Sequence, residues 1–180
     1  MFFVRLMTLF GILALSGCGG IDDDLTPSGD DKRPAVEAGS TGTQVGQIMP
    51  EFSIQDTLDV THALSNELIS ANGVVLYFTM WCPICDSHSS HLRTHIISDF
   101  PFVNFYLVDY VSGSVTASRS SQISNGYSNV DVLVDDDLSL YNLFGASMGT
   151  TIVIDSTGVV RMNEDYKDGV KLRGILQALP

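Results

Sequence analysis

The residues best suited to covalent chemistry in this chain are two cysteines set two residues apart, Cys82-Pro83-Ile84-Cys85. What such a pair does depends on its flanks. Before it, Val74-Val75-Leu76-Tyr77-Phe78 is an unbroken run of β-branched, aliphatic and aromatic residues, the pattern of a strand buried on both faces. After it, Pro83 suits the first turn of a helix. Cys85, Ser89, Leu92 and Ile96 then recur at helical spacing and define an inward face for a helix over residues 83–98. A helix start presents unpaired N–H groups and a partial positive charge, and both stabilise a thiolate on the first cysteine. The expected chemistry is thiol–disulfide exchange, with Cys82 attacking a partner sulfur and Cys85 resolving the mixed disulfide.

Other chemistries use the same residues. Half of a zinc site would need two further ligands, and His62, His88, His91 and His95 are the histidines able to supply them. His88, His91 and His95 stand at i, i+3 and i+7, so they share one flank of the helix, and copper handling beside a reduced dithiol is a rival role. A structural disulfide is a third reading. No metal and no organic cofactor enters the favoured one.

The elements that would position the dithiol follow from the patterning. Phe52 to Ile54 and Val60 to His62 flank a turn and suggest a short hairpin. Residues 63–70 suggest a short helix, Val103 to Val108 a second buried strand, and residues 110–130 a helix among loops. Val132 to Val134, Thr150 to Ile154 and Val159 to Met162 suggest further strands, with helices over residues 137–144 and 169–179. Strands alternating with helices imply an α/β sandwich.

The N-terminal residues have a different character. Arg5 precedes an apolar run from Leu6 to Leu15, too short to span a bilayer but suited to an export signal. The run ends in Leu15-Ser16-Gly17-Cys18, which resembles a bacterial lipobox. That resemblance implies a signal peptide over residues 1–17, lipidation of Cys18 and a membrane-tethered protein facing the periplasm or the outside. Gly19 in place of Asp implies the outer membrane in a Gram-negative cell. Residues 18–43, rich in Gly, Ser, Thr and Asp, suit a flexible acidic linker, and the domain is expected over residues 44–180. The chain has 180 residues, 9 Lys and Arg against 21 Asp and Glu, and a formal net charge of −12, which excludes nucleic acid as a partner.

Three stretches together, VGQIMPEFSIQD, VVLYFTMWCPIC and GTTIVIDSTGVVR, resemble the TlpA/ResA-like branch of the thioredoxin family, within the redoxin superfamily, over residues 45–180. The most specific parts are Trp81-Cys82-x-x-Cys85 and the strand–turn that opens at Thr150. The resemblance implies a thioredoxin-like fold, a central mixed β-sheet flanked by helices. It also implies disulfide exchange with exported proteins bearing thiols or disulfides, and an upstream membrane thiol donor or acceptor. Three positions depart from the family. Gly149 stands where relatives carry a cis-proline before the Thr-Thr pair, so a trans and more mobile loop is expected there. His88 stands where relatives often carry a proton-handling Glu, and a protonated ring reaching the dithiol would favour thiolate. Leu76 stands where many thioredoxins bury an acid. The fragment Thr79-x-x-Cys82 also matches part of a peroxiredoxin motif, though Val75 occupies the place of that motif's proline. A peroxiredoxin-like peroxidase and a non-catalytic binding module therefore stay as rival functions.

Overall fold

The computed structural model describes residues 35–180. The compact unit runs from Val36 to Pro180, so it starts ahead of the expected boundary at residue 44. The reason is backbone pairing. Gly39 N–H donates to Gly46 O, Gly46 N–H to Val160 O and Val160 N–H to Gln47 O, which folds this stretch onto the domain.

Seven strands and five α-helices follow. A hairpin of β1 (Ser53–Gln55) and β2 (Thr61–Ala63) leads into helix α1 (Leu64–Ser70). Then come β3 (Gly73–Thr79), α2 (Pro83–His95), a 3-10 turn (Ile97–Asp99), β4 (Val103–Asp109), α3 (Val115–Ser124), β5 (Asp131–Val134) and α4 (Ser139–Phe144). Strands β6 (Thr150–Asp155) and β7 (Val160–Asp165) and helix α5 (Val170–Gln177) complete the chain. The main sheet has the order β5-β4-β3-β6-β7. β4 lies parallel to β3 and to β5, whereas β6 is antiparallel to β3 and to β7. This mixed sheet between helical layers is the α/β architecture the sequence implied.

β3 sits at the centre and all seven of its residues are buried, as its unbroken apolar run requires. Val74, Leu76 and Phe78 point to one face, where they meet Leu64 of α1 and Leu140 and Phe144 of α4. Val75 and Tyr77 point to the other, against Leu92 and Ile96 and against Leu172 and Leu176 of α5. Burying each large aliphatic side chain contributes about 1.5–3 kcal/mol. Leu76 is therefore a core residue with no acid in its place. Two elements depart from expectation. Helix α2 ends at His95 and continues as the 3-10 turn. Residues 115–124 form one definite helix because the Ser114 hydroxyl accepts the Ala117 N–H at its start.

A polar cluster ties the hairpin to the sheet. His62 Nδ1 lies 2.9 Å from Glu67 Oε1, and its Nε2 lies 3.3 Å from Asp56 Oδ2. Tyr106 and the Asn104 amide donate to Glu67 Oε2 at 2.5 and 2.7 Å. Burial alone would lower the His62 pKa, but the two carboxylates outweigh it and raise it. Burial alone would raise the Glu67 pKa, but bonds from Tyr106 and His62 hold it below its ordinary value. The raised histidine contributes stability in full below its unfolded pKa, and loses it as pH rises through the folded value. The lowered glutamate contributes above its unfolded pKa, and loses it as pH falls through the folded value. Stability is therefore expected to peak between about pH 4.5 and 6.5 and to fall on both sides. His62→Phe should remove the alkaline fall and cost about 2 kcal/mol at the peak. Urea unfolding of both proteins across this range checks the result, and an unchanged pH profile in the variant would contradict it.

Candidate active site

The site forms where β3 ends and α2 begins. Cys82 is the N-cap of α2, with extended backbone, and its sulfur accepts the Cys85 N–H at 3.1 Å. Pro83 takes the first helical position, where its missing N–H costs nothing. One turn of helix brings the two sulfurs to 2.6 Å, with both cysteines free. Cys82 is partly open to solvent, whereas Cys85 is only 1% exposed.

This asymmetry sets the chemistry. The small burial of Cys82 pushes its thiol up. Hydrogen bonds from the Cys85 thiol and from the Cys85 and Ile84 N–H groups outweigh that and bring it below the usual thiol range. Burial pushes the Cys85 thiol up, and its role as donor to Cys82 pushes it further. Of the two, Cys82 is thus the readier to lose its proton and Cys85 the readier to keep it.

Trp81 orients the dithiol from a costly conformation. Its backbone is left-handed, with φ of 57°, which costs a bulky residue about 1–2 kcal/mol. Two bonds hold it there: Trp81 N–H donates to Thr79 Oγ1 at 3.2 Å, and the indole N–H donates to Asp109 Oδ2 at 2.7 Å. Asp109, 1% exposed at the end of β4, also accepts the Val111 and Ser112 N–H groups on its other oxygen. Across the helix start, the Tyr127 hydroxyl lies within bonding distance of both the Asp86 carboxylate (2.6 Å) and the Asp86 carbonyl (2.9 Å), with Arg93 stacked over its ring. The sequence reading did not single out Asp109 or Tyr127. The signal for Asp109 was there, in a lone acid closing an apolar parallel strand beside the motif. Tyr127 lay in a polar stretch without periodicity and gave none.

His88 stands one turn beyond Cys85, but its ring turns to Tyr77, whose hydroxyl lies 3.0 Å from His88 Nδ1. Burial and the neighbouring His91 lower its pKa. That shift disfavours the imidazolium which, in a ring reaching the dithiol, would favour thiolate. Gly149 is trans, as expected, but it is not loose. Its N–H donates to Phe78 O at 3.0 Å, and its carbonyl accepts the Tyr166 N–H at 2.7 Å and the Thr151 hydroxyl at 3.1 Å. Thr150 Oγ1 accepts the Ser147 N–H and bonds Asp165, so it fastens the same turn to β7. Among the described residues no group of three or more His, Cys, Asp or Glu is placed to hold a metal, and His62 lies in its own cluster with Asp56 and Glu67. Cys18 falls outside the described residues.

No protein-family model and no curated protein matches the chain. Solved structures do. A putative protein disulfide isomerase from Bacteroides thetaiotaomicron is similar with a TM-score of 0.65 and 18% identity, over 76% of this chain and 90% of its own. A putative thiol:disulfide interchange protein DsbE from Chlorobium tepidum gives a TM-score of 0.64 and 17% identity, over 77% of this chain and 99% of that one. Peroxidoxin BcpB from Mycobacterium tuberculosis gives 0.62 and 20%, over 77% and 99%. At these identities the likeness is one of fold, and that fold is thioredoxin-like.

The geometry at Gly149 makes its own prediction. Its φ of 89° is out of reach for proline, which is held near −65°, and proline would also delete the donor to Phe78 O. Gly149→Pro should destabilise the domain by about 3 kcal/mol or more and slow any chemistry at the dithiol. Gly149→Ala, with no nearer neighbour than His88 Nδ1 at 3.8 Å, should cost only about 1–2 kcal/mol. Thermal unfolding of the pair checks this, and a Pro variant as stable as the Ala variant would refute it.

Proposed function

We propose that this domain is a thiol–disulfide oxidoreductase working through Cys82 and Cys85. The observation that carries the reading is the unequal pair at the helix start: a partly exposed sulfur that accepts the Cys85 N–H, in contact with a buried one. The fold neighbours named as disulfide isomerase and disulfide interchange protein support it. The Cys82 thiolate attacks one sulfur of a partner disulfide, the partner's other sulfur leaves as thiolate, and a mixed disulfide forms. Cys85 then gives up its proton and attacks the Cys82 sulfur, which expels the partner's second thiolate and leaves Cys82 and Cys85 oxidised. An external dithiol restores the pair, and the same steps in reverse oxidise a partner.

The N-terminal sequence extends this proposal to place. A lipidated Cys18 and an acidic spacer would hold the domain at the cell envelope, where its partners would be exported proteins with thiols or disulfides and a membrane thiol donor or acceptor. The likeness to a peroxidoxin favours one second reading, peroxide reduction at Cys82.

Iodoacetamide should modify Cys82 ahead of Cys85. Cys85→Ser should accumulate mixed disulfides with protein substrates, and Cys82→Ser should accumulate none. Insulin reduction by wild type should exceed that of either variant by at least about a hundredfold. Faster alkylation of Cys85 would reverse the roles, and peroxide turnover without insulin reduction would replace the reading by the second one.

A further inference from the structure

The chemistry at the dithiol leaves two histidines of α2 without a role. His91 and His95 stand at i and i+4, so their side chains share one face of the helix, one turn apart. His91 is half-buried and His95 exposed. Their ring centres lie 4.9 Å apart, with the rings tilted by 37°. A shared metal ion would need such a separation. An imidazole nitrogen binds a first-row metal at about 2.0–2.1 Å, which puts the ring centre about 3.2 Å from the ion. Two rings meeting at an ion at about 90–110° then have their centres about 4.5–5.2 Å apart. The pair on α2 falls inside that range.

We propose that His91 and His95 form a two-imidazole site for a divalent first-row transition metal in the cleft between α2 and α5. The general ordering of these ions at nitrogen donors makes Cu²⁺ the tightest binder, ahead of Ni²⁺ and Zn²⁺. Each neutral ring lends one electron pair to the ion, and nothing is oxidised or reduced. Among the described residues no third His, Cys, Asp or Glu completes the set, so water holds the remaining positions. The cleft has the room, with a volume of about 530 Å³, against about 30 Å³ for each water. The site is separate from the dithiol and stands whether or not Cys82 and Cys85 exchange disulfides.

The surroundings favour a cation there. The Tyr166 hydroxyl lies 2.6 Å from His91 Nδ1. That bond orients the ring and leaves Nε2 as the ligand atom, an arrangement usual for metal-binding histidines. Gly169 leaves space for it: a Cβ there would lie 2.7 Å from the Tyr166 hydroxyl and 3.0 Å from His91 Cε1. His95 is the last residue of α2, where unpaired carbonyls give the helix end a partial negative charge. Asp168 lines the cleft and accepts the Val170 N–H at 3.1 Å, so it adds negative charge from a fixed place. Arg173 also lines the cleft, but its charge is met by Asp99 at 2.7 Å and by the His95 carbonyl. His88 shares this flank of α2 yet stays out of the pair, because its Nδ1 is held by the Tyr77 hydroxyl at 3.0 Å.

The test titrates Cu²⁺ into the oxidised protein, in which Cys82 and Cys85 are joined and offer no thiolate. Electron paramagnetic resonance of the complex should show couplings from two imidazole nitrogens. His91→Gln and His95→Gln should each weaken binding about a hundredfold, and the double variant hardly more than either, because one ring alone has already lost the chelate. Tyr166→Phe, which frees the His91 ring, should weaken it about tenfold. His88→Gln should stay within about twofold of wild type. Cu²⁺ should also raise the thermal-unfolding midpoint of wild type and of neither histidine variant, since the folded helix holds the two rings together and the unfolded chain does not. Both histidines reach solvent, so the Gln variants should fold, and their midpoints without metal check this. Wild-type affinity in either histidine variant, a spectrum with one nitrogen, or an equal loss in His88→Gln would overturn the site.

Discussion

A buried carboxylate at the end of β4 governs the geometry of the dithiol. Asp109 has three donors: the Trp81 indole on one oxygen and two backbone N–H groups on the other. Such a charge is costly to bury unless its lone pairs are met, and here they are. The return is conformational. The chain must leave a fully buried strand and enter a helix within three residues, and Trp81 manages this only in a left-handed conformation it would not choose alone. The indole bond makes that turn the favoured one, so the sulfur of the next residue is aimed by a contact on the neighbouring strand.

From that turn the two thiols part in character. They are chemically identical and three residues apart, yet one gains donors from a helix start and the other loses water. Each shift depends on the other, since the proton that Cys85 keeps is the one it offers to Cys82. Tyr127 adds a second hold on the first turn of α2 through Asp86. The helix start is thus fixed from β4 on one side and from the segment after α3 on the other.

The parts legible in the sequence were those with a strong period or a rigid residue. The apolar run of β3, Pro83 at the helix start and the inward row of Cys85, Ser89, Leu92 and Ile96 each have one structural solution, and the domain takes it. The strand–turn after Thr150 was equally plain. The interactions between distant residues were not. Trp81 meets Asp109 and Tyr77 meets His88 only because β3, β4 and α2 converge, and no local pattern announces such a meeting. His88 illustrates the gap: its position beside Cys85 was visible, but the direction of its ring was set by Tyr77 and Tyr166. Gly149 was noticed as a missing proline, whereas its positive φ and its donor to Phe78 O depend on how β6 enters the sheet. Residues 36–43 looked too polar to fold, yet their backbone found partners in Gly46 and Ile48 and in the Asn163 side chain on β7.

That early loop and the hairpin have a bearing on how the domain behaves in company. An open sheet has two outer strands whose free N–H and C=O groups can recruit another chain. Here one outer strand, β7, is bordered by the loop before β1, through the Ile48–Val159 bridge and the Gly46 and Gln47 bonds to Val160. The other, β5, is bordered by the hairpin, through the Asp56–Leu133 bridge and the Thr57 N–H to Val132 O. Each border is therefore met in part by the chain itself, β7 at Val160 and β5 at Val132 and Leu133, so another copy finds fewer free backbone groups there. At those points the domain's own backbone stands where a strand from another copy would have to pair.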